Sequence, residues 1–131
     1  MNGAAAAVQA AVVAALRTGL GAGVSGVFDG APADAVPPFV EIGETVTMAW
    51  GAKGLDGREH RIAVVIREEA GQAARLHMLM AAAEAAIAEM PRMLPGHAVA
   101  GLLFLRARVV RDVGRRWAGM VEYRVRTVPL S

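Results

Sequence analysis

The stretch "GVFDGAPADAVPPFVEIG", residues 26–43, decides how the rest of the chain is read. It places two Asp, three Pro and three Gly in eighteen positions, and an apolar segment follows at once. That composition suits a catalytic loop, a phosphate cradle, or a chain being bent into a β-strand. Asp29 and Asp34 are flanked by Gly30, Pro32 and Pro37, which marks them as turn residues whose side chains bond their own backbone. Pro37 and Pro38 hold the chain extended, so a strand is expected to begin near Phe39. The stretch is a bend into a sheet and carries no reaction.

Working outward, residues 4–18 are alanine-rich, with Val8, Val12 and Leu16 four apart on one helical face. The glycines of "GLGAG" (19–23) end that helix, and a short strand is expected over Val24 to Phe28. From Val40 the pattern alternates. Val40, Ile42, Val46, Met48 and Trp50 are expected on one face, with Glu41, Thr45 and Thr47 opposite. Glu44 breaks that face, and Gly43 beside it marks a candidate bulge. "GAKGLDG" (51–57) turns the chain into a second strand, Arg58 to Arg67, with Ile62, Val64 and Ile66 on one face and Arg61, Val65 and Arg67 on the other.

Residues 71–90 predict the second helix, with Leu76, Leu79, Met80, Ala83, Ile87 and Met90 as its apolar stripe, closed by Pro91 and Pro95. Two strands follow, roughly 98–111 and 117–128, joined at "DVGRR". The expectation is an α+β domain of order α-β-β-β-α-β-β. An antiparallel or mixed sheet of four to five strands packs against two helices. In the last hairpin, Leu103, Leu105, Ala107 and Val109 should face the same way as Val121, Tyr123 and Val125. A three-residue loop at Val113–Arg115 gives that register and sets Arg106 opposite Glu122. Arg108, Arg124 and Arg126 share the face and are left for other partners.

The length of 131 residues suits one domain spanning 1–131. Hydrophobic residues make up 55% and aromatics only 5%, so the core is aliphatic. The absence of cysteine excludes a disulfide scaffold, a thiol nucleophile and thiolate metal sites. The net charge of +2 conceals an asymmetry: residues 1–91 carry 6 basic and 10 acidic groups, and residues 92–131 carry 8 Arg against 2 acids. Such a chain can bind nucleic acid through its basic part, or join copies of itself acidic surface to basic. The apolar run "AAAAVQAAVVAAL" (4–16) has no basic segment before it, is interrupted by Gln9, and is short for a bilayer; it reads as a soluble helix.

The chemical motifs are weak. "GAGVSG" (21–26) spells G-x-G-x-x-G, but a helix precedes it and a strand or loop follows, the reverse of the dinucleotide-binding context. "GAKGLDG" lacks the Gly-Lys-Ser/Thr ending of a phosphate loop. His60, His77 and His97 fall in a strand, a helix and a loop without metal-ligand spacing, and neither Ser25 nor Ser131 sits in a nucleophile elbow. Catalytic, cofactor and metal residues are therefore not expected. Met78, Met80, Met90 and Met93 could line an adaptable groove, but at helical spacing beside alanines they read as core. The arginine-rich hairpin is the strongest functional candidate, beside its plainer reading as a solvated face with cross-strand ion pairs. It has no aromatic platform for stacking single-stranded bases.

Four segments in order resemble the small tail-completion proteins, or tail terminators, of siphophages and gene transfer agents. An Ala-rich helix precedes "VFDGAPADAVPPFVEIGE" (27–44), similar to the family's Asp-x-x-Pro then Pro-aromatic-Val lead into a strand. "GLDGREHRIAVVIRE" (54–68) gives a Gly-rich tip and a Glu-His-Arg strand, followed by the helix "GQAARLHMLMAAAEAAIAEM" (71–90). "GHAVAGLLFLRARVVRDVGRRWAGMVEYRVRT" (96–127) closes the series, with Arg-x-x-Arg-Asp before its turn. Phe39 stands where the family usually has Tyr, and the strand at 62–66 lacks an aromatic often seen near its end.

The resemblance implies a structural virion protein without enzymatic activity or cofactor. It implies a hexameric ring on the head-proximal end of the tail tube, which stops tube polymerisation and meets the head connector while DNA passes through the channel. Its partners would be further copies of itself, the tube protein and the connector, with no membrane. Its place would be the tail or neck, after assembly in the bacterial cytoplasm. Candidate subunit, tube or channel contacts are Lys53, Arg106, Arg108, Glu122, Arg124 and Arg126. The alternatives are another neck or tail-tube component of the same fold, or a basic nucleic-acid-binding module, whose binding would fall steeply with salt.

Overall fold

Helical and alternating segments fold in the order α1 (Ala4–Leu20), β1 (Val27–Phe28), β2 (Phe39–Trp50), β3 (Gly57–Glu69), α2 (Ala74–Ala88), β4 (Met93–Leu94), β5 (His97–Arg111) and β6 (Arg116–Pro129). The computed structural model describes residues 3–111 and 113–130. Met1, Asn2, Asp112 and Ser131 lie outside the described residues, Asp112 being the first residue of the expected "DVGRR" turn. The strands form one mixed sheet, ordered β1-β2-β3-β6-β5-β4, in which β1 runs parallel to β2 and every other pair is antiparallel. The expected α+β class holds. The sheet has six strands rather than four or five because β4, two residues between Pro91 and Pro95, is too short to leave a periodic trace.

Both helices lie on one face of the sheet. α1 buries Ala7, Val8, Val12, Val13, Leu16 and Leu20, and α2 buries Leu76, Leu79, Met80, Ala83, Ala86 and Ile87. They meet Val40 and Ile42 of β2, Ile62, Val64 and Ile66 of β3, and Val121, Tyr123 and Val125 of β6. The helical run from Ala4 to Gly23 is 20 residues long and apolar enough, by length and composition only, to cross a membrane. It is thus longer than the sequence reading allowed, although its apolar stripe packs against the sheet.

The segment 26–43 is held as a bend. Ser25 N–H donates to Pro38 O at 2.8 Å, Val40 N–H to Gly26 O at 3.0 Å, and Ala35 N–H to Pro32 O at 3.0 Å. Arg17 Nη2 donates to Val27 O at 2.9 Å, tying α1 to β1, and Phe28 packs edge-on against Phe39. Asp29 differs from expectation: its carboxylate accepts from Gln9 Nε2 of α1 at 3.2 Å and so pins the loop to the helix.

Bulges revise two face assignments. The β2–β3 register shifts between Ile42 and Thr45, as Gly43 suggested, and the shift moves the faces by one residue. Thr45 and Thr47 join the helix side, opposite Ile62 and His60, while Val46 and Met48 turn to the other side and are exposed. In the last hairpin Arg106 does stand opposite Glu122 and Ala107 opposite Val121. A shift between Phe104 and Arg106 then sets Phe104 opposite Tyr123 and Leu102 opposite Val125. Leu103 is displaced to the arginine side, facing Arg124, so it is not a core residue.

Two buried polar groups tie the layers. His60 is fully buried, its Nδ1 bonded to Thr47 Oγ1 at 2.9 Å and its Nε2 to Thr127 Oγ1 at 3.0 Å, which links β2, β3 and β6. Burial, aided by the charges of His97 and Arg58, pushes its pKa down. The buried Glu68 carboxylate accepts from Arg75 Nε at 2.5 Å and Nη2 at 2.6 Å, fastening the first turn of α2 to β3. The Arg75 hydrogen bonds hold the Glu68 pKa below the ordinary carboxylate value, against the opposing pull of desolvation.

Both groups bind fewer protons in the folded than in the unfolded chain, so stability should rise with pH wherever either titrates. The expected result is a Tm constant above the ordinary His range. It should fall as pH drops below about 6.5 and fall further through the carboxylate range. The first decline should vanish in His60→Gln. A wild-type Tm flat from neutral to acid pH would contradict both burials.

Candidate functional site

Alternation places one set of side chains toward the helices, and the other set forms an open sheet face. Across β3 and β6, Glu59 pairs with Arg126, Arg61 with Arg124, Ala63 with Glu122 and Val65 with Met120. Across β6 and β5, Arg106 meets Glu122 and Arg108 meets Met120. Four of the candidate residues, Arg106, Arg108, Arg124 and Arg126, thus lie on one surface with Glu122. Lys53 is not part of it, since it sits exposed in the tip between β2 and β3.

The pairing differs from the simple register. Arg106 Nε bonds Glu122 Oε2 at 3.2 Å, as expected. Arg124 and Arg126 are not spare. Both converge on Glu59 of β3, Arg126 Nε at 3.0 Å and Arg124 Nε at 3.8 Å from the same oxygen. The Arg126 guanidinium also lies 5.0 Å from the Trp50 ring centroid, a cation–π contact. Arg108 Nη2 lies 3.3 Å from Met120 Sδ. Arg61 has no acidic partner among the described residues.

The same face holds a basin of about 370 Å³ lined by Val46, Ala63, Met120, Glu44, Glu122, Arg61, Arg106 and Arg108. Glu59, Glu44 and Arg61 were not among the sequence candidates. Strand parity already carried the signal for Glu59, because Ile62, Val64 and Ile66 facing the helices send Glu59 outward with Arg61.

The other motifs are structural. Gly21–Gly23 is a 3-10 turn closing α1, and the Gly21 N–H bonds Arg17 O at a φ of +48°. His60 is bonded in the core, and His97 Nδ1 lies 3.3 Å from Pro95 O. No group of three or more His, Cys, Asp or Glu able to hold a metal occurs among the described residues. Tyr123, buried near Glu84, has its pKa pushed up to about 12 by burial first and that charge second.

A family model described as "Tail completion protein gp17" matches residues 3–128, nearly the whole chain. The chain belongs to the tail completion protein family. It is a structural tail component, as the resemblance of the four segments implied. Among solved structures, a chain of the "Virion of native gene transfer agent (GTA) particle" shares the fold with a TM-score of 0.74 and 24% sequence identity. That match covers 97% of this chain and 99% of the other. No curated protein is significantly similar. In this tail completion protein the open sheet face carries charge pairs that cross β3, β6 and β5.

Proposed function

We propose that this tail completion protein is a tail terminator. Copies join in a ring of six on the head-proximal end of the tail tube, stop its polymerisation and present a surface to the head connector, with DNA passing through the channel. The chain acts without catalysis, in the tail or neck of the particle, and assembles in the bacterial cytoplasm. The observation that carries this reading is the family match over residues 3–128. The alternating charge of the open sheet face supports it as a surface for protein contact, since most arginines there already hold a carboxylate. Electron microscopy of particles made without the protein tests the reading through tube length and head attachment.

A further inference from the structure

The outermost strands, β1 and β4, are two residues each and cover little of the long strands beside them. β1 meets β2 only at Val40 and Glu41, and β4 meets β5 only at Ala98 and His97. Among the described residues, Ile42–Trp50 of β2 and Ala100–Arg111 of β5 therefore have a strand neighbour on one side only. Such an edge presents unpaired N–H and C=O groups that can accept another strand. We propose that the two edges pair with each other between copies, β5 of one beside β2 of the next. This inference rests on the ring reading and names its subunit contact.

Direction, charge and side-chain pattern support it. The order β2-β3-β6-β5 is antiparallel throughout, so β2 and β5 run in opposite directions. A neighbouring copy in the same orientation then sets its β2 antiparallel to β5, and the hydrogen-bonding pattern continues across the contact. The contact is heterologous, and it closes into a ring when the rotation between copies closes. Pairing β5 with another β5 would bring Arg106 and Arg108 against the same arginines. On the basin side, β2 offers Glu44 instead. Opposite charges across strands stabilise and like charges destabilise, so the edges prefer each other to themselves.

Setting Arg108 opposite Glu44 places Arg106 opposite Val46. Past the β5 bulge, Leu103 then falls opposite Met48. Leu103 is 46% and Met48 47% exposed in the single chain, and the contact would cover both. The bulges in β2 and β5 make these edges poor templates for unrelated strands.

The chain has no cysteine, so introduced thiols report the contact cleanly. Met48→Cys and Leu103→Cys lie at cross-strand distance in this register, within disulfide reach. Under mild oxidation of the purified protein and of assembled tails, the two single variants mixed should give a covalent dimer. The double variant should give a ladder of covalent oligomers, and neither single variant alone should cross-link. Glu44→Arg and Arg108→Glu should each weaken association about tenfold, and the two combined should restore it. Efficient cross-linking of Leu103→Cys alone would replace this contact by β5–β5 pairing. Oligomers by light scattering without any cross-link would overturn the edge contact and leave the ring reading standing. Absence of both oligomer and cross-link, in solution and on tails, would reject both.

Discussion

Leu76→Ala is expected to lower the unfolding free energy by about 3 kcal/mol. Leu76 is fully buried at the start of α2, where the helix crosses β6. The crossing is close because position 119 is glycine. A Cβ there would lie 2.9 Å from Leu76 Cδ1 and 2.6 Å from Met80 Sδ. Leu76 fills the room that Gly119 leaves, and truncating it opens a cavity with no side chain at position 119 to close it. Met78→Ala serves as the control: Met78, expected in the core from its spacing, is instead 71% exposed on the same helix, and its loss should stay within about 0.5 kcal/mol. Urea titrations with unchanged slopes would give both values. A loss below about 1 kcal/mol for Leu76→Ala, far under the usual range, would contradict this packing.

The second large effect runs against helix propensity. Exchanging a helical Gly for Ala ordinarily gains about 1 kcal/mol, yet Gly19→Ala should destabilise by about 2 kcal/mol. A Cβ at position 19 would lie 2.4 Å from Ala86 Cβ and 3.3 Å from Ala86 Cα, so α1 and α2 cannot keep their present approach. Ala86→Gly alone should cost about 1 kcal/mol through propensity. The two together should cost clearly less than the sum, because without a Cβ at position 86 the nearest atom to the added methyl is the Cα there, at 3.3 Å. Thermal melts of the four proteins give this coupling. A Gly19→Ala variant more stable than wild type would show that the helices do not meet there.

Much of the fold was legible because its periodicities are strong. The four-residue spacing of Val8, Val12 and Leu16 and the stripe of α2 gave the helices. The odd–even alternation of β3 gave its buried face, and the Arg106–Glu122 opposition followed from hairpin parity. The misassignments have one physical source. A bulge inserts a residue and inverts every face beyond it, so Val46, Met48 and Leu103 lie on the opposite face from the one an unbroken period predicts. Gly43 signalled the first bulge, whereas nothing in "LLFLRA" (102–107) marks the second.

The candidate surface was only half visible for a related reason. The arginines stood out as a cluster on one hairpin, but Glu59 reaches them from a strand more than sixty residues away in sequence. Its role depends on β3 pairing with β6, which is a tertiary fact. The same pairing explains why Arg124 and Arg126 are held rather than spare. The bare edges of β2 and β5 could not be read at all, since they follow from how little of the sheet β1 and β4 cover.

The most direct test of the terminator reading is the length distribution of tails assembled without this protein, measured by electron microscopy. Headless tubes that overrun their normal length are expected, with normal length and head attachment returning when the intact chain is supplied. Tails of ordinary length joined to heads in its absence would contradict that reading.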